Sequence, residues 1–393
     1  MLVTVYVICL VVFCVWLWVR SKTVTPPVSP GAIPILGHTH RFTGLQGIWN
    51  TLEQISKFTL ENGGISILKI CEYKVYGTTL GLNAEDQTLI DKDYAHAFEL
   101  LSFLYYERAM KPWLHLPFFF NRSSLKRRQD KLTETVRNIL NPCRVYMFLD
   151  NTKRRLEIKM NAYNSDESND KFKPVLNHLL YLADEQNAFS DTEIREHLNT
   201  FVIASYDTST VTFTLLLMMI GWHKDVQDRV YNEIQEVLNH EDRDFTKSDL
   251  PKLVYLEAVI KETLRLYPTI PYIARQVNKD LKLGKYTLPS GSTCAISLHG
   301  IHRHPMWGPD ADQFKPDRWL DPARLPNHPN AFVAFGVGKR YCIGRQYSMM
   351  VMKTTIGHIV RQYHVHSDLS KLKFQYEVVL QPIKGHRITF TKR

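Results

Sequence analysis

The chain has 393 residues, 44% of them hydrophobic and 22% charged, which suffices for one large packed domain and excludes a wholly disordered chain. Its formal net charge of +10 calls for an acidic partner or an anionic surface. No zinc-finger spacing, RNA-recognition signature or arginine stripe accompanies that charge, so nucleic acid is not an expected partner.

Leu2 to Val19 is an uncharged apolar run of 18 residues, just long enough for a membrane-spanning helix. The cations follow it, at Arg20 and Lys22, and no small-residue cleavage site appears, so an uncleaved anchor over residues 1–20 is expected rather than a signal peptide. That charge placement puts the rest of the chain in the cytosol. The stretch "PPVSPGAIPILGH" within residues 21–40 holds four prolines and two glycines and reads as a stiff hinge. A third region, 41–393, would be the catalytic body.

Within that body a helical pattern covers 44–61, followed by two strand-like runs, "GISILKI" and "YKVYGTTL". Residues 85–260 read as almost wholly helical, interrupted by a polar loop at 161–174. "SDTE" at 190–193 is a capping-box pattern opening a long helix that is apolar on every side and therefore expected to be buried. Asp207 and its Ser/Thr neighbours argue against a second transmembrane span there. Helices are expected at "VQDRVYNEIQEVL" and "LVYLEAVIKETLRLYP", strands around 272–298, then a loop-rich stretch and a last helix, "IGRQYSMMVMKTTIGHIVRQY". The expected class is mainly α with a minor β part.

The six cysteines, at 9, 14, 71, 143, 294 and 342, include no C-x-x-C pair, which suits reduced thiols and neither a disulfide framework nor a zinc site. Cys342 lies in "FGVGKRYCIG", among three glycines and two cations. Cysteine binds a metal as its thiolate, which cations and inward-pointing backbone N–H groups stabilise. One thiolate without companions suits a haem iron better than zinc. A buried cysteine in a glycine-rich turn is the competing reading, and composition alone favours it.

Further constellations bear on that choice. "ETLR" puts Glu262 and Arg265 on one helix face at i, i+3. "FKPDRW" puts Arg318 in a proline-containing loop, where it could complete a three-residue lock. "ASYDTS" puts Asp207 and Thr208 in the middle of an apolar helix, and "IARQV" puts Arg275 in an extended segment.

In this order these residues closely resemble the cytochrome P450 family. The loop matches F-x-x-G-x-R-x-C-x-G at Phe335, Gly338, Arg340, Cys342 and Gly344. The anchor and hinge resemble microsomal members, and "MKPWLHLP" at 110–117 is similar to wording in the family-4-like branch, which leads to the expectation of an insect member of that branch. The resemblance implies a P450 fold with Cys342 as proximal iron ligand, its thiolate favouring O–O cleavage. Phe335 would pack near the sulfur, and Arg340 and Arg275 would bind haem propionates. Glu262, Arg265 and Arg318 would form the structural lock, while Asp207 and Thr208 would relay protons. Ser205 stands where glycine is common, which narrows the oxygen groove. Ala204 stands where that branch often has a haem-linking Glu, which implies non-covalent haem b.

The resemblance also implies a gap. Relative to microsomal members, about a hundred residues of helix are missing before the acid–alcohol helix, with the join between 70 and 85. The only W-x-x-x-R match, Trp16 to Arg20, falls inside the anchor, and Trp113 is followed at the Arg position by Pro117. Two functions are therefore expected in competition. One is a monooxygenase on an apolar small molecule, at the endoplasmic reticulum membrane, taking electrons from NADPH–cytochrome P450 reductase through a basic face at Lys339, Arg340 and Arg345. The other is a truncated, non-catalytic product that holds haem poorly. A peroxide-rearranging enzyme fits less well, because it needs no Asp207–Thr208 relay.

Overall fold

A computed structural model describes residues 49–50, 53–54, 57, 61, 117–131, 134, 175–376, 379–384 and 387–393. The anchor at 1–20, the hinge at 21–40, the two early strand-like runs, the join at 70–85, Trp113 and the polar loop at 161–174 all lie outside them. The described positions 49, 50, 53, 54, 57 and 61 are helical, in line with the 44–61 pattern.

Five helices frame the described body: α1 (Val175–Gln186), α2 (Asp191–Trp222), α3 (Lys224–Val237), α4 (Val254–Leu266) and α5 (Arg345–Gln362). The capping box that opens α2 forms in both directions. The Ser190 hydroxyl accepts from the Glu193 N–H at 3.3 Å, and the Glu193 carboxylate accepts from the Ser190 N–H at 2.8 Å. Two otherwise unpaired amides at the helix start are thereby satisfied.

The core is a helix-on-helix interface. Leu216 and Ile220 of α2, Val230 and Ile234 of α3, Leu256, Val259 and Ile260 of α4, and Ile356 and Val360 of α5 interlock there with essentially no exposure. Each such side chain contributes about 1.5–3 kcal/mol by leaving water. The expectation that α2 is buried all round holds only for part of its length. Val211, Leu215, Leu216, Met218, Met219 and Ile220 are buried, whereas Ser205, Tyr206 and Thr210 are exposed. The cause is packing partners: the core cluster takes up α2 beyond position 210 and leaves the preceding turn outside it. Among the described residues, no helix is long and apolar enough to cross a membrane.

Among the described residues the β part is four antiparallel pairs. Strands β1 (Tyr272–Gln276) and β4 (Thr293–Ser297) pair around a nested hairpin of β2 (Leu281–Leu283) and β3 (Tyr286–Leu288). Strand β5 (Tyr363–Ser367) pairs with β8 (Ile388–Lys392), and β6 (Lys373–Tyr376) with β7 (Leu380–Lys384). The last helix differs slightly from its sequence pattern: Gly344 is its N-cap, and Tyr363 has already left it for β5.

Strand β5 is fastened to the end of α2 by one buried amide. Gln227 donates to the carbonyls of Ile220, at 3.1 Å, and Val365, at 2.9 Å, and accepts from the Val365 N–H at 2.8 Å. Gly221 lets the two backbones approach, since a Cβ there would lie 2.9 Å from the Ser367 nitrogen. Gly221→Ala is therefore expected to destabilise the protein by about 1–3 kcal/mol, read as a lower denaturant midpoint.

Candidate functional site

Cys342 sits two residues ahead of the N-cap of α5, so the positive end of that helix dipole lies at its side. Its N–H donates to the Phe335 carbonyl at 2.7 Å, and its own carbonyl accepts from the Arg345 N–H at 3.3 Å. Between Phe335 and Cys342 the chain makes a single 3-10 turn, Gly338–Arg340. Gly336 and Gly338 both have φ of +70°, which favours glycine and explains why the loop carries it twice. Phe335 and Ala334 pack against the helical core and fasten one end of the loop. The other end faces outward: Cys342 is exposed, as are Val337, Tyr341 and Ile343, the last at 79%. Lys339, Arg340 and Arg345 are also exposed, on the same loop and helix start.

The composition-favoured reading of Cys342 as a buried turn residue is thus excluded by its exposure. Among the described residues, no three His, Cys, Asp or Glu side chains converge to hold a metal ion. A lone outward thiol at a helix N-terminus, flanked by apolar surface, is the donor set that a haem iron takes and a polydentate ion does not.

Behind the loop lies a buried ionic cluster. Glu262 and Arg265, on α4, have 0% exposure, and Arg318 has 2%. Glu262 accepts five hydrogen bonds: from Arg265 Nε and Nη2, both at 2.8 Å, Arg318 Nε at 3.0 Å, the Lys315 N–H at 2.9 Å and Trp319 Nε1 at 2.9 Å. Arg265 sends its remaining donors to the carbonyls of His302, Ala311 and Gln313. Every guanidinium N–H direction of Arg265 is therefore used. Arg318 donates to the carbonyls of Trp307 and Asp310 as well. Complete pairing of this kind is what allows charge to remain in a dry interior.

The third expected group lies on α2. Thr208 donates its hydroxyl hydrogen to the Ala204 carbonyl at 2.5 Å, so its oxygen still presents lone pairs. Asp207 and Thr208 are both half-buried, beside the exposed Ser205 and Tyr206. The Thr208 carbonyl accepts from Thr212, whose hydroxyl also meets Thr269 at 2.8 Å. Arg275 is exposed on β1 and donates to the Ala274 carbonyl at 2.8 Å.

The structure thus brings Glu262, Arg265 and Arg318 into direct contact and ties Phe335 to Cys342. Arg275 stands on β1, and Asp207 and Thr208 stand together on α2, elements other than those that carry these two groups. Sequence reasoning missed Trp319, although it is the residue after Arg318 in the quoted motif, and it missed His302. Trp319 was findable as a tryptophan beside the lock motif whose indole N–H needs an acceptor once its ring is partly buried. Nothing local marks His302.

The cytochrome P450 family model matches residues 68–390. The chain belongs to the cytochrome P450 family. Among curated relatives it is 29% identical to "Cytochrome P450 4c21" of Blattella germanica over 326 residues, covering 82% of this chain and 64% of that one. It is 32% identical to "Cytochrome P450 4V2" of Mus musculus over 332 residues, covering 82% and 61%. A shorter match, 34% over 242 residues, links it to "Cytochrome P450 4g15" of Drosophila melanogaster, covering 61% and 42%. The similarity thus reaches both insect and mammalian family-4 P450s. The chain spans 61–64% of the length of the first two. P450 membership implies a haem cofactor, and the exposed Cys342 thiol fits one.

Proposed function

We propose that this P450 is a haem-thiolate monooxygenase, with Cys342 as the proximal ligand. The observation that carries this reading is the Phe335–Cys342 loop closed over the N-terminus of α5, with its sulfur outward. Bound haem, as non-covalent haem b, supplies O2 activation, so that one oxygen atom enters an apolar substrate and the other leaves as water. The reducing electrons come from NADPH through a reductase, which the exposed Lys339, Arg340 and Arg345 suit by charge. Arg340 and Arg275, both exposed, are the cations available to the propionates. The Glu262–Arg265–Arg318 lock holds the backbone behind the cysteine loop. Asp207 delivers protons, and Thr208 accepts a hydrogen bond on the oxygen it keeps open. The same reading has an anchor at 1–20, a hinge at 21–40 and a catalytic body at 41–393, single-pass on the endoplasmic reticulum membrane and facing the cytosol; the uncharged run Leu2–Val19 followed by Arg20 and Lys22 is what supports it.

The competing reading is a chain that no longer holds haem well. It is favoured by the 61–64% span of the relatives and by the absence of a W-x-x-x-R pair outside the anchor. Carbon monoxide added to the reduced, purified protein separates the two. A Soret band at the thiolate-ligated position, with NADPH consumed in the presence of reductase, supports the monooxygenase; well-folded protein without that band sinks it. Asp207→Asn is expected to slow product formation by about a hundred-fold while leaving haem content and that band unchanged.

A further inference from the structure

We propose that His302 is a positioning residue for the cysteine ligand, acting as the joint between the buried ionic lock and the loop that carries Cys342. The inference rests on the reading of Cys342 as the iron ligand.

His302 is fully buried and bonded on two sides. Its backbone carbonyl accepts from Arg265 Nη1 at 2.8 Å, which ties it to the lock. Its ring Nε2 accepts from the Val333 N–H at 2.9 Å, which ties it to the arm of the loop. From Val333 the connection continues by backbone bonds alone. The Val333 carbonyl accepts from the Gly336 N–H at 2.8 Å, and the Phe335 carbonyl accepts from the Cys342 N–H at 2.7 Å. A second path runs in parallel. Trp319, which donates to Glu262, meets the Phe332 ring edge-on at 4.9 Å, and Phe332 stacks on the His302 ring at 5.3 Å and 22°.

The ring can do this in one form only. A backbone N–H is a fixed donor, so Nε2 must be the bare nitrogen and the proton must sit on Nδ1. Protonating the ring would set two N–H groups against each other. Burial first, then the neighbouring charges of Arg265 and Arg303, push the His302 pKa down to about 3, which keeps it neutral. Nδ1 is buried without a hydrogen-bond partner among the described residues. An orphaned donor of that kind costs free energy, and one explanation for retaining it is a specific duty for the other nitrogen.

The test compares three substitutions at equal haem content. Gln can place an amide oxygen where Nε2 stands, Asn reaches only to the Nδ1 position, and Leu offers no acceptor. His302→Gln is expected to keep the thiolate-type band of the ferrous carbon monoxide complex. His302→Asn and His302→Leu are expected to lower its ratio to the thiol-type band by about tenfold. Wild-type ratios in Asn and Leu, or a Gln variant as defective as Leu, would overturn the proposal. A second measurement needs neither haem nor a folded Leu variant. In the native chain the Val333, Gly336 and Cys342 amides should exchange hydrogen slowly, and His302→Gln should preserve that protection; rapid, loop-like exchange at Val333 overturns the link. If the wild-type protein shows protection there but no thiolate-type band, the haem reading fails while the joint stands.

Discussion

Glu262→Ala is expected to cost about 3–5 kcal/mol of stability, among the largest effects available to a single substitution in this chain. The reason is what remains behind. Two guanidinium groups, at 0% and 2% exposure, would lose the carboxylate that accepts from both, and the Lys315 N–H and Trp319 Nε1 would lose their acceptor. Glu262→Gln tests the same point more gently, because the amide keeps one acceptor oxygen but adds donors facing Arg265 Nε or Nη2. Thermal unfolding of both variants should rank Ala below Gln below wild type. An Ala variant within about 0.5 kcal/mol of wild type would show the cluster to be dispensable, as exposed ion pairs commonly are.

Cys342→Ser is expected to do the reverse, abolishing the thiolate-ligated carbon monoxide band while hardly moving the melting temperature of the haem-free protein. The side chain is exposed, and the contacts that shape its loop run through the Phe335 carbonyl and the Cys342 N–H, which serine keeps. A band surviving unchanged in Cys342→Ser would remove Cys342 from the metal. A collapse in haem-free stability would show that the sulfur itself supports the fold.

Local chemistry was legible and long-range packing was not. Ser190 and Glu193 are three residues apart, so their mutual capping follows from spacing alone. Glu262 and Arg265 share a helix face for the same reason. Arg318 is separated from Glu262 by 56 residues, so its loop could only suggest a third partner, and the family resemblance was what assigned it to the lock. The Lys315 N–H and His302 carried no signal, because a backbone amide and a histidine ring become partners only once the chain has folded around them. The strands after Gln362 went unread: each is four or five residues, too short for alternation to stand out from a loop. The apolar run of α2 misled in a specific way, since composition reports the side chains and not which neighbours reach them. The anchor, the hinge and the 70–85 join lie outside the described residues.

Two of the buried polar fastenings differ in how far along the chain they reach. The lock joins positions 56 residues apart, and the Gln227 amide joins α3 to β5 across 138. Loop-closure entropy grows only with the logarithm of length, so the longer closure costs about 0.8 kcal/mol more. Three amide bonds at Gln227 face that cost, against a dense ionic cluster for the shorter loop. The segment from β5 onward is therefore expected to join late as the chain folds and to detach early as it opens, leaving the Glu262 cluster as the last tertiary feature to dissolve.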